Sequence, residues 1–394
     1  MKNDYMFTSE SVTDGHPDKL CDQIADAVVD RFLRQDPMAR VLTECAVSNG
    51  ILFIATRFAS ATTADIPGVA HQVIRQIGYT REDFNPETCT VMTSLSELPH
   101  VHQRDEREMN SEEIDRIPAH DMANVFGFAC DQTSALMPLP IWLAHKLARR
   151  LSSVRLQRLL PYLAPDGKTQ VGVEYRQGRP HRIHSLTIVA SQWPDMAVSA
   201  DRLRDDLMEL VVAPAFMDET IRPERGTMVF INPNGTTVEG GPTTHSGLTG
   251  RKTAIDSYGE YSRQSGSALS GKDPTRIDRV GAYAARHAAK NVVAAGLAAA
   301  CEVQLTYSIG QSSPVSMQVE TFGTGALPDE VIAKRLMTHF EFRPAGIIRT
   351  YGLRHLPAIH RGGFYQRLAA YGHVGRMDLA LPWERTDKAE VLRN

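Results

Sequence analysis

The sequence predicts an α/β (α+β) fold in which one unit of helix and sheet occurs three times. A helix-type segment followed by strand-type segments recurs three times along the 394 residues. Stretches rich in charged or turn-forming residues separate the repeats. Such a recurrence indicates three similar domains, and a chain of this length is expected to form two or three domains.

The first unit opens with a helix predicted at residues 18–33, where apolar side chains recur at the spacing of one helix face. Residues 40–46 and 51–56, which alternate or are largely apolar, follow as predicted strands. The predicted helical stripe consists of Leu20, Ile24, Val28 and Phe32, flanked by Ala25, Val29 and Leu33.

The second and third units repeat this order. A helix predicted at residues 138–151 leads to strands predicted at 170–175 and 185–190. An alanine-rich helix predicted at residues 274–297 leads to a strand predicted at 302–309. The shared order of elements is the basis for predicting a threefold repeat.

Two stretches mark the boundaries between the predicted domains. Residues 104–119 are charged and polar, and residues 232–241 are rich in turn-forming residues. The first stretch is long for a connection inside a compact domain, which suits an active-site lid. The predicted organisation is an N-terminal domain at 1–103, a candidate lid at 104–119, a central domain at 120–235 and a C-terminal domain at 236–394.

The composition is that of an ordinary soluble globular protein, with 42% hydrophobic and 23% charged residues. A net charge of −3 gives no chain-wide basic field, so we expect neither nucleic acid nor a membrane as a partner. The first residues lack a signal-type apolar region, and no apolar run approaches membrane length. The five cysteines lie far apart without a CxxC pair, which argues against a zinc or disulfide framework and predicts a cytoplasmic location.

The stretch that says most about function runs from residue 241 to 252 and continues at 270–278. Exposed amides beside arginine and lysine are typical of a polyphosphate site. The spacing matches neither a Walker loop nor a GxGxxG fingerprint. The alternative interpretation is a solvated basic helix start beside a glycine-rich turn. The cations of this stretch are Arg251, Lys252, Lys272 and Arg276.

The second half of this stretch is predicted to open a helix. Asp273 is a suitable N-cap, and Pro274 suits the first helical position. Lys272 and Arg276 then flank a helix start, where the helix dipole disfavours positive charge unless an anion is also bound. Asp278, one turn further on, would hold a divalent metal ion on the same phosphates.

A second motif, GHPDK at residues 15–19, precedes the first predicted helix. In a functional interpretation, His16 donates a hydrogen bond to a departing phosphate oxygen and Asp18 binds Mg²⁺. In a structural interpretation, Asp18 is an acid favoured by the helix dipole and His16 is a turn residue. The motif by itself leaves both interpretations open.

Four further polar residues are less informative when each is taken alone. Lys168 follows a proline-containing loop in a DGK sequence and precedes a predicted strand, where a lysine is ordinarily solvated. Glu44 lies within a predicted strand, where an acid requires a cation or solvent. Gln103 and Asp121 bracket the polar segment and by themselves indicate nothing.

Taken together, these motifs resemble those of the S-adenosylmethionine synthetases (methionine adenosyltransferases). The likeness covers nearly the whole chain in order, and its motifs are highly specific. They are FTSESVTDGHPDK at residues 7–19, GGP at 240–242, GLTGRK at 247–252, SGKDP at 270–274, YGH at 371–373, PWE at 382–384 and TDK at 386–388.

The resemblance implies a three-domain fold with pseudo-threefold symmetry, in a homodimer or dimer of dimers with active sites between subunits. It implies that the sulfur of methionine attacks C5′ of ATP and expels triphosphate, which is cleaved to pyrophosphate and phosphate with the help of Mg²⁺ and K⁺. Sulfur is a neutral nucleophile that needs no general base. Catalysis of this kind depends on alignment and on stabilising the charge of the leaving group.

The resemblance also implies roles for individual residues. His16 would hydrogen-bond the oxygen on C5′ as the bond breaks. Asp18 and Asp278 would bind Mg²⁺, and Glu44 would lie at the K⁺ site. Arg276 stands where the family more often has lysine, and the two cations differ in geometry. The triphosphate would be held by Lys168, Arg251, Lys252, Lys272 and Arg276, of which Lys168, Arg251 and Lys272 join His16 as the predicted catalytic residues.

The phosphate half of the family pattern is intact, whereas the half expected to bind the second substrate differs. An acid that helps to hold the amino-acid substrate is replaced by His245, and a second acid aligns with Arg57. A glycine-rich segment keeps only Asp121 as its acid. An aromatic residue near the adenine aligns with Thr237, whereas Gln103 is retained on the sulfur-substrate side.

If Arg57 faced the ammonium group of methionine, it would repel it. The replacements therefore leave three interpretations open. In the first, Arg57 points elsewhere and methionine remains the substrate. In the second, the nucleophile is a different one, a thioether or other small molecule that lacks the free amine and could carry an extra carboxylate. In the third, the chain is a regulatory family member without adenosyl transfer; the complete metal and triphosphate pattern argues against this.

Overall fold

The strands and helices are taken from a computed structural model that describes residues 4–81, 84–99, 104–235, 239–360 and 362–394. The strands are β1 (Tyr5–Val12), β2 (Arg40–Ser48), β3 (Ile51–Ala59), β4 (Thr90–Glu97), β5 (Ala123–Cys130), β6 (Leu163–Arg176), β7 (Arg179–Gln192), β8 (Met228–Ile231), β9 (Gly247–Leu248), β10 (Ala300–Tyr307) and β11 (Ser316–Glu320).

The α-helices are α1 (Pro17–Gln35), α2 (Ile66–Ile77), α3 (Ser111–Asp115), α4 (Leu139–Leu156), α5 (Ala200–Leu207), α6 (Ala213–Ala215), α7 (Thr253–Asp256), α8 (Ile277–Ala294), α9 (Asp329–His339), α10 (Pro344–Tyr351), α11 (Leu356–Ile359) and α12 (Ala389–Arg393). A π-helical segment, Met208–Val212, joins α5 to α6, and single 3₁₀ turns lie at Glu106–Glu108, Pro194–Met196 and Pro382–Glu384.

The strands of the described ranges form three sheets, and the three parts of the chain exchange strands in a cycle. The first sheet has the order β4-β3-β2-β9, so a strand from the C-terminal part completes the N-terminal sheet. The second sheet, β1-β6-β7-β8, takes its first strand from the N-terminal part. The third, β11-β10-β5, takes one strand from the central part. No sheet is therefore built from one part of the chain alone.

One long helix packs on each sheet, α1 on the first, α4 on the second and α8 on the third. A continuous apolar core joins α1 and α8 with the first and third sheets, and another core lies between α4 and the second sheet. At Gly127 of β5, a Cβ atom would lie only 2.0 Å from the backbone carbon of Ala285 in α8. Only glycine therefore allows α8 to pack this closely on β5.

The predicted α+β class and the predicted order of elements are confirmed. The three long predicted helices correspond to α1, α4 and α8, and the predicted strands correspond to β2, β3, β6, β7 and β10. The sequence analysis does not predict the exchanged strands β1, β5 and β9. The second half of β1 is polar, and β9 has only two residues, so neither shows a clear strand pattern.

The prediction that Asp273 caps a helix is wrong. Helix α8 begins at Ile277, with Arg276 at its N-cap position. The carboxylate of Asp273 instead accepts the amides of Val41 and Thr275, both at 2.7 Å. The side chain of Asp273 is therefore bonded to β2 and to its own turn. Pro274 lies in the turn before the helix and not at the first helical position.

Helix α1 carries four buried aspartates at four-residue intervals, which we call the aspartate row: Asp18, Asp22, Asp26 and Asp30. This spacing places the side chains on one face of the helix. Each carboxylate accepts a backbone amide from the C-terminal part of the chain, at 3.0, 2.8, 2.8 and 3.0 Å; in the same order the donors are Leu248, Gly250, Gly271 and Tyr365. The face of α1 that would ordinarily meet water therefore binds the rest of the protein.

The segment predicted as a lid is held by contacts to the C-terminal part of the chain. Glu106 is buried and accepts hydrogen bonds from the Arg354 guanidinium at 2.8 to 3.0 Å. Asp115 pairs with Arg343 of the loop before α10 at 2.8 Å. Its role as a lid stays a prediction, as do the proposed domain bounds. Searched over the described ranges, the helices include none with the length and hydropathy of a membrane span.

We expect Asp26→Ala to be strongly destabilising. Asp26 and Arg279 are fully buried, and two guanidinium nitrogens lie 2.8 and 2.7 Å from the two carboxylate oxygens. Removal of the acid leaves a buried guanidinium without its partner, so the free energy of unfolding should fall by about 3–5 kcal/mol. Urea unfolding followed by circular dichroism measures this loss.

The control is Asp195→Ala, which removes one partner of the exposed Arg81–Asp195 pair, whose closest N–O distance is 2.9 Å. Because exposed ion pairs contribute about 1 kcal/mol or less, this variant should unfold almost as the parent does. Equal losses for the two variants would contradict the importance assigned to the aspartate row.

Candidate active site

His16 stands at the N-terminus of α1, where its ring acts as the N-cap. Its Nδ1 accepts the amide of Asp18 at 3.2 Å, and the residue is 2% exposed. Burial lowers the pKa of the imidazole from 6.5 to about 4, against the opposing effects of Asp166 and Asp18. A neutral ring whose Nδ1 accepts a hydrogen bond carries its proton on Nε2. His16 is therefore set up to donate from Nε2 at neutral pH.

Strand β9 brings the GLTGRK motif onto the start of α1. Oδ1 of Asp18 accepts the amide of Leu248 at 3.0 Å and lies 3.6 Å from Nη1 of Arg251. Its other carboxylate oxygen lies 3.6 Å from Nζ of Lys252. At Gly247 a Cβ atom would lie 2.1 Å from the backbone oxygen of Pro17, so only glycine fits there. The GHPDK and GLTGRK motifs thus form one cluster, in which two cations face a buried carboxylate.

A buried network of ion pairs, centred on Lys19, lies next to this cluster. Nζ of Lys19 donates to Asp22 at 2.9 Å and to Asp256. Asp22 also accepts the amide of Gly250, whose positive φ of 81° suits glycine. Burial raises the pKa of Asp256 to about 7, although the charge of Lys19 opposes the shift. The network holds the backbone at Gly250, immediately before Arg251, and so fixes the point from which the Arg251 side chain extends.

A second group of charges lies at the start of α8. Nζ of Lys272 lies 2.8 Å from Oδ2 of Asp278, which is in the first turn of the helix and 7% exposed. The amide of Gly271 donates to Asp26 of the aspartate row at 2.8 Å. Among the described residues, the buried Nε of Arg276 has no hydrogen-bond partner. A buried cationic donor without a partner suits the binding of an anion.

Asp166 is a site residue that the sequence analysis did not select. It lies within β6, not in a loop before a strand as predicted, and it is 5% exposed. Its Oδ2 accepts the amide of Gly241 at 2.9 Å and lies 2.8 Å from Nε2 of His245. Burial raises the pKa of this carboxyl, but His245, His16 and the amide outweigh burial and lower it. The available signal was an acid two residues before Lys168 in the DGK sequence.

Two of the remaining predicted residues, Lys168 and Asp121, have no described side-chain contact with this cluster. Lys168 is exposed on β6. Asp121 is also exposed, and its carboxylate accepts the amide of the next residue at 2.8 Å. Gln103 and Thr237 lie outside the described residues. The roles of all four stay predictions.

Glu44 and Arg57 lie on the outward face of the first sheet. Both side chains are exposed, at positions of β2 and β3 that alternate with buried residues. Within the part of the chain that the structure describes, neither forms a hydrogen bond or an ion pair. Among the described residues, Arg57 and His245 therefore have no contact with each other.

Comparison with known proteins covers nearly the whole chain. Three family models match it in order, described as the N-terminal, central and C-terminal domains of S-adenosylmethionine synthetase; they match residues 4–99, 116–237 and 239–385. The S-adenosylmethionine synthase of Gloeothece citriformis is 49% identical over 100% of this chain and 98% of the relative. Those of Trichormus variabilis and Synechococcus elongatus are 49% and 48% identical, each over 100% of this chain and over 97% and 98% of the relative.

The environment of His16 predicts an unusually acidic titration. Because burial disfavours the imidazolium, the ring should remain neutral down to a pH of about 4 in the substrate-free protein. The chemical shift of its Cε1–H, followed by NMR as the pH is lowered, measures the midpoint.

His16→Asn assigns the resonance, since the variant lacks that signal and keeps a side chain able to cap α1. A midpoint near 6.5, the ordinary value for histidine, would show that the ring is not desolvated as described.

Proposed function

Because this chain belongs to the S-adenosylmethionine synthetase family, we propose that it forms S-adenosylmethionine from ATP and methionine. The protein is an enzyme, an adenosyltransferase. Its products would be S-adenosylmethionine, pyrophosphate and phosphate, the last two from a triphosphate that is cleaved before release. Its five buried, free cysteines accord with the cytoplasmic location that we also propose.

The observation that carries the proposal is the placement of a neutral, proton-donating His16 beside a group of cations. In the transfer, a sulfur lone pair forms the bond to C5′ while the C5′–O bond breaks and its electron pair passes to the triphosphate. The negative charge that develops on this oxygen is the charge to be stabilised. Nε2 of His16 would donate to that oxygen, and the cations would bind the phosphates behind it.

The cations form two groups, each next to a backbone segment that the aspartate row of α1 binds. Arg251 and Lys252 face Asp18, and Lys272 faces Asp278. We assign the triphosphate to the space between these groups, with Arg276 supplying its unpartnered Nε. Lys168 is assigned to the same triphosphate on the strength of its DGK sequence.

The carboxylates of the site fit a divalent metal ion. Asp18 and Asp278 offer oxygen ligands, which Mg²⁺ prefers, and each already lies among cations that would bind the same phosphates. When bound, Mg²⁺ neutralises phosphate charge and helps the triphosphate to leave. Glu44 is the proposed ligand for K⁺.

Methionine is the proposed nucleophile although two acids are replaced. His245 is engaged by Asp166, and Arg57 lies on the outward face of the first sheet. The contacts of the described residues therefore give no reason to exclude an ammonium group from the site. The relatives named S-adenosylmethionine synthase, at 48–49% identity over the full chain, support the same substrate.

We further propose that a second copy of the chain covers the outward face of the first sheet. One row of residues crosses all four strands, with register pairs that join β4 to β3, β3 to β2 and β2 to β9. Three of its large apolar side chains are at least 43% exposed. Neighbouring exposed apolar side chains on one sheet face suit an interaction surface, and Glu44 and Arg57 beside them would face the partner. The row consists of Met92, Phe53, Ala46 and Leu248.

The assay of function is mass-spectrometric product analysis with ATP, Mg²⁺, K⁺ and methionine. We expect S-adenosylmethionine with pyrophosphate and phosphate. Lys272→Met should lower kcat by roughly 10²–10³, the typical cost of removing one charge-stabilising donor. ATP that stays intact, or is cleaved without a sulfonium product, would contradict methionine as the nucleophile.

The matched control is Lys334→Met, on an exposed position of α9. It should turn over methionine as the parent does. An equal loss in both lysine variants would mean that Lys272 acts through general stability and not at the site.

The interface proposal predicts that Phe53→Glu combined with Met92→Glu separates the subunits. Charges placed on an apolar interface are left desolvated and unpaired, so the variant should be a monomer by sedimentation equilibrium. Activity should fall with it, since the site would need residues of two subunits. Met217→Glu, at a residue 71% exposed elsewhere on the surface, is the control and should sediment as the parent does. A double variant that stays dimeric would place the interface on another face.

A further inference from the structure

Ligand atoms of His16, Asp166 and His245 all lie within 4.8 Å of one another. We propose that these three side chains bind one late first-row transition-metal ion, with Zn²⁺ as the best match. The site would be separate from the carboxylates assigned to Mg²⁺, since its donors are two imidazoles and one carboxylate. That donor set favours zinc, whereas magnesium prefers oxygen ligands alone.

Binding of a metal ion through Nε2 of His16 requires the ring proton to move to Nδ1, which then gives up the amide of Asp18 and faces Oδ2 of Asp18, 3.8 Å away. The other movements are small. The rings of His16 and His245 have centroids 4.9 Å apart, and Nε2 of His245 lies 2.8 Å from Oδ2 of Asp166. Zinc binds nitrogen and carboxylate oxygen at about 2.0–2.2 Å, so ligand atoms around one ion lie up to about 4 Å apart. A contraction of roughly 1 Å across the widest pair would bring all three into coordination distance.

A second observation points to a missing ligand at this place. Asp166 is 5% exposed, and among the described residues its Oδ1 has no hydrogen-bond partner. Its other oxygen already receives both the amide of Gly241 and His245. A buried carboxylate oxygen without a partner is costly, and a metal ion would satisfy it. The side chain of His245 is 36% exposed, which leaves a path for an ion to enter from solvent.

One consequence rests on the proposed function. His16 cannot bind a metal ion through Nε2 and donate from the same atom to the leaving oxygen. Zinc and ATP would therefore exclude each other, and zinc would inhibit the enzyme competitively with ATP until a chelator removes it.

The test is a Co²⁺ titration of the substrate-free, full-length protein, read by visible absorption, with excess Mg²⁺ present to occupy Asp18 and Asp278. Four-coordinate Co²⁺ gives intense visible bands, whereas hexaaqua Co²⁺ does not. We expect one saturable site that Zn²⁺ displaces. His245→Gln, which keeps a hydrogen-bond donor for Asp166, should weaken the affinity at least tenfold, because loss of even an outer-shell partner costs about 10- to 100-fold.

His181→Ala, at an exposed histidine of β7, is the matched control and should bind Co²⁺ as the parent does. His245→Ala serves as a second variant, and the thermal unfolding of the metal-free proteins shows whether either substitution disturbs the fold. The proposal is overturned if no intense bands appear, or if the two His245 variants bind Co²⁺ as tightly as the parent. Because the readout needs neither ATP nor methionine, its failure leaves adenosyl transfer untouched, and the product assay can fail while metal binding holds.

Discussion

The aspartate row on α1 is the constraint on which the rest of the structure depends. A helix of a soluble domain ordinarily turns its charged face to water, whereas this helix buries four carboxylates. Burial of a carboxylate is costly unless hydrogen bonds and cations compensate. Here the compensation comes from backbone amides of the C-terminal part of the chain, together with Lys19 and Arg279. Folding of α1 is thereby tied to the position of loops more than two hundred residues away.

The same row explains how a phosphate site can be assembled from distant motifs. Asp18 fixes β9, Asp22 fixes Gly250 and Asp26 fixes Gly271. Each of these backbone anchors lies within three residues of a cation that we assign to the triphosphate. The acids of α1 mainly hold backbone: Arg251 and Lys252 lie 3.6 Å from Asp18, and Lys272 pairs with Asp278 of α8 at 2.8 Å.

Periodicity predicted the elements that pack locally and missed those that pair over long distances. The stripe of Leu20, Ile24 and Val28 identified α1, because an apolar face repeats regardless of its partner. The helix expected to begin at Pro274 begins later, because Asp273 bonds to Val41, a contact that no local pattern reveals. The site residues of the GHPDK and GLTGRK motifs were identified from their motifs, and the structure brings them together. Asp166 was passed over because its importance lies in a tertiary contact with His245.

The cyclic exchange of strands also bears on how the chain is made. Strand β1 leaves the ribosome early, but its partner β6 is synthesised much later, at a rate of about 5–20 residues per second. An unpaired strand that waits is a template for aggregation. The second half of β1 reads Ser9-Glu10-Ser11-Val12, and polar side chains of this kind make an unpaired strand less prone to aggregate. The polarity that kept β1 from being predicted as a strand would therefore also limit aggregation of the nascent chain before β6 is available for pairing.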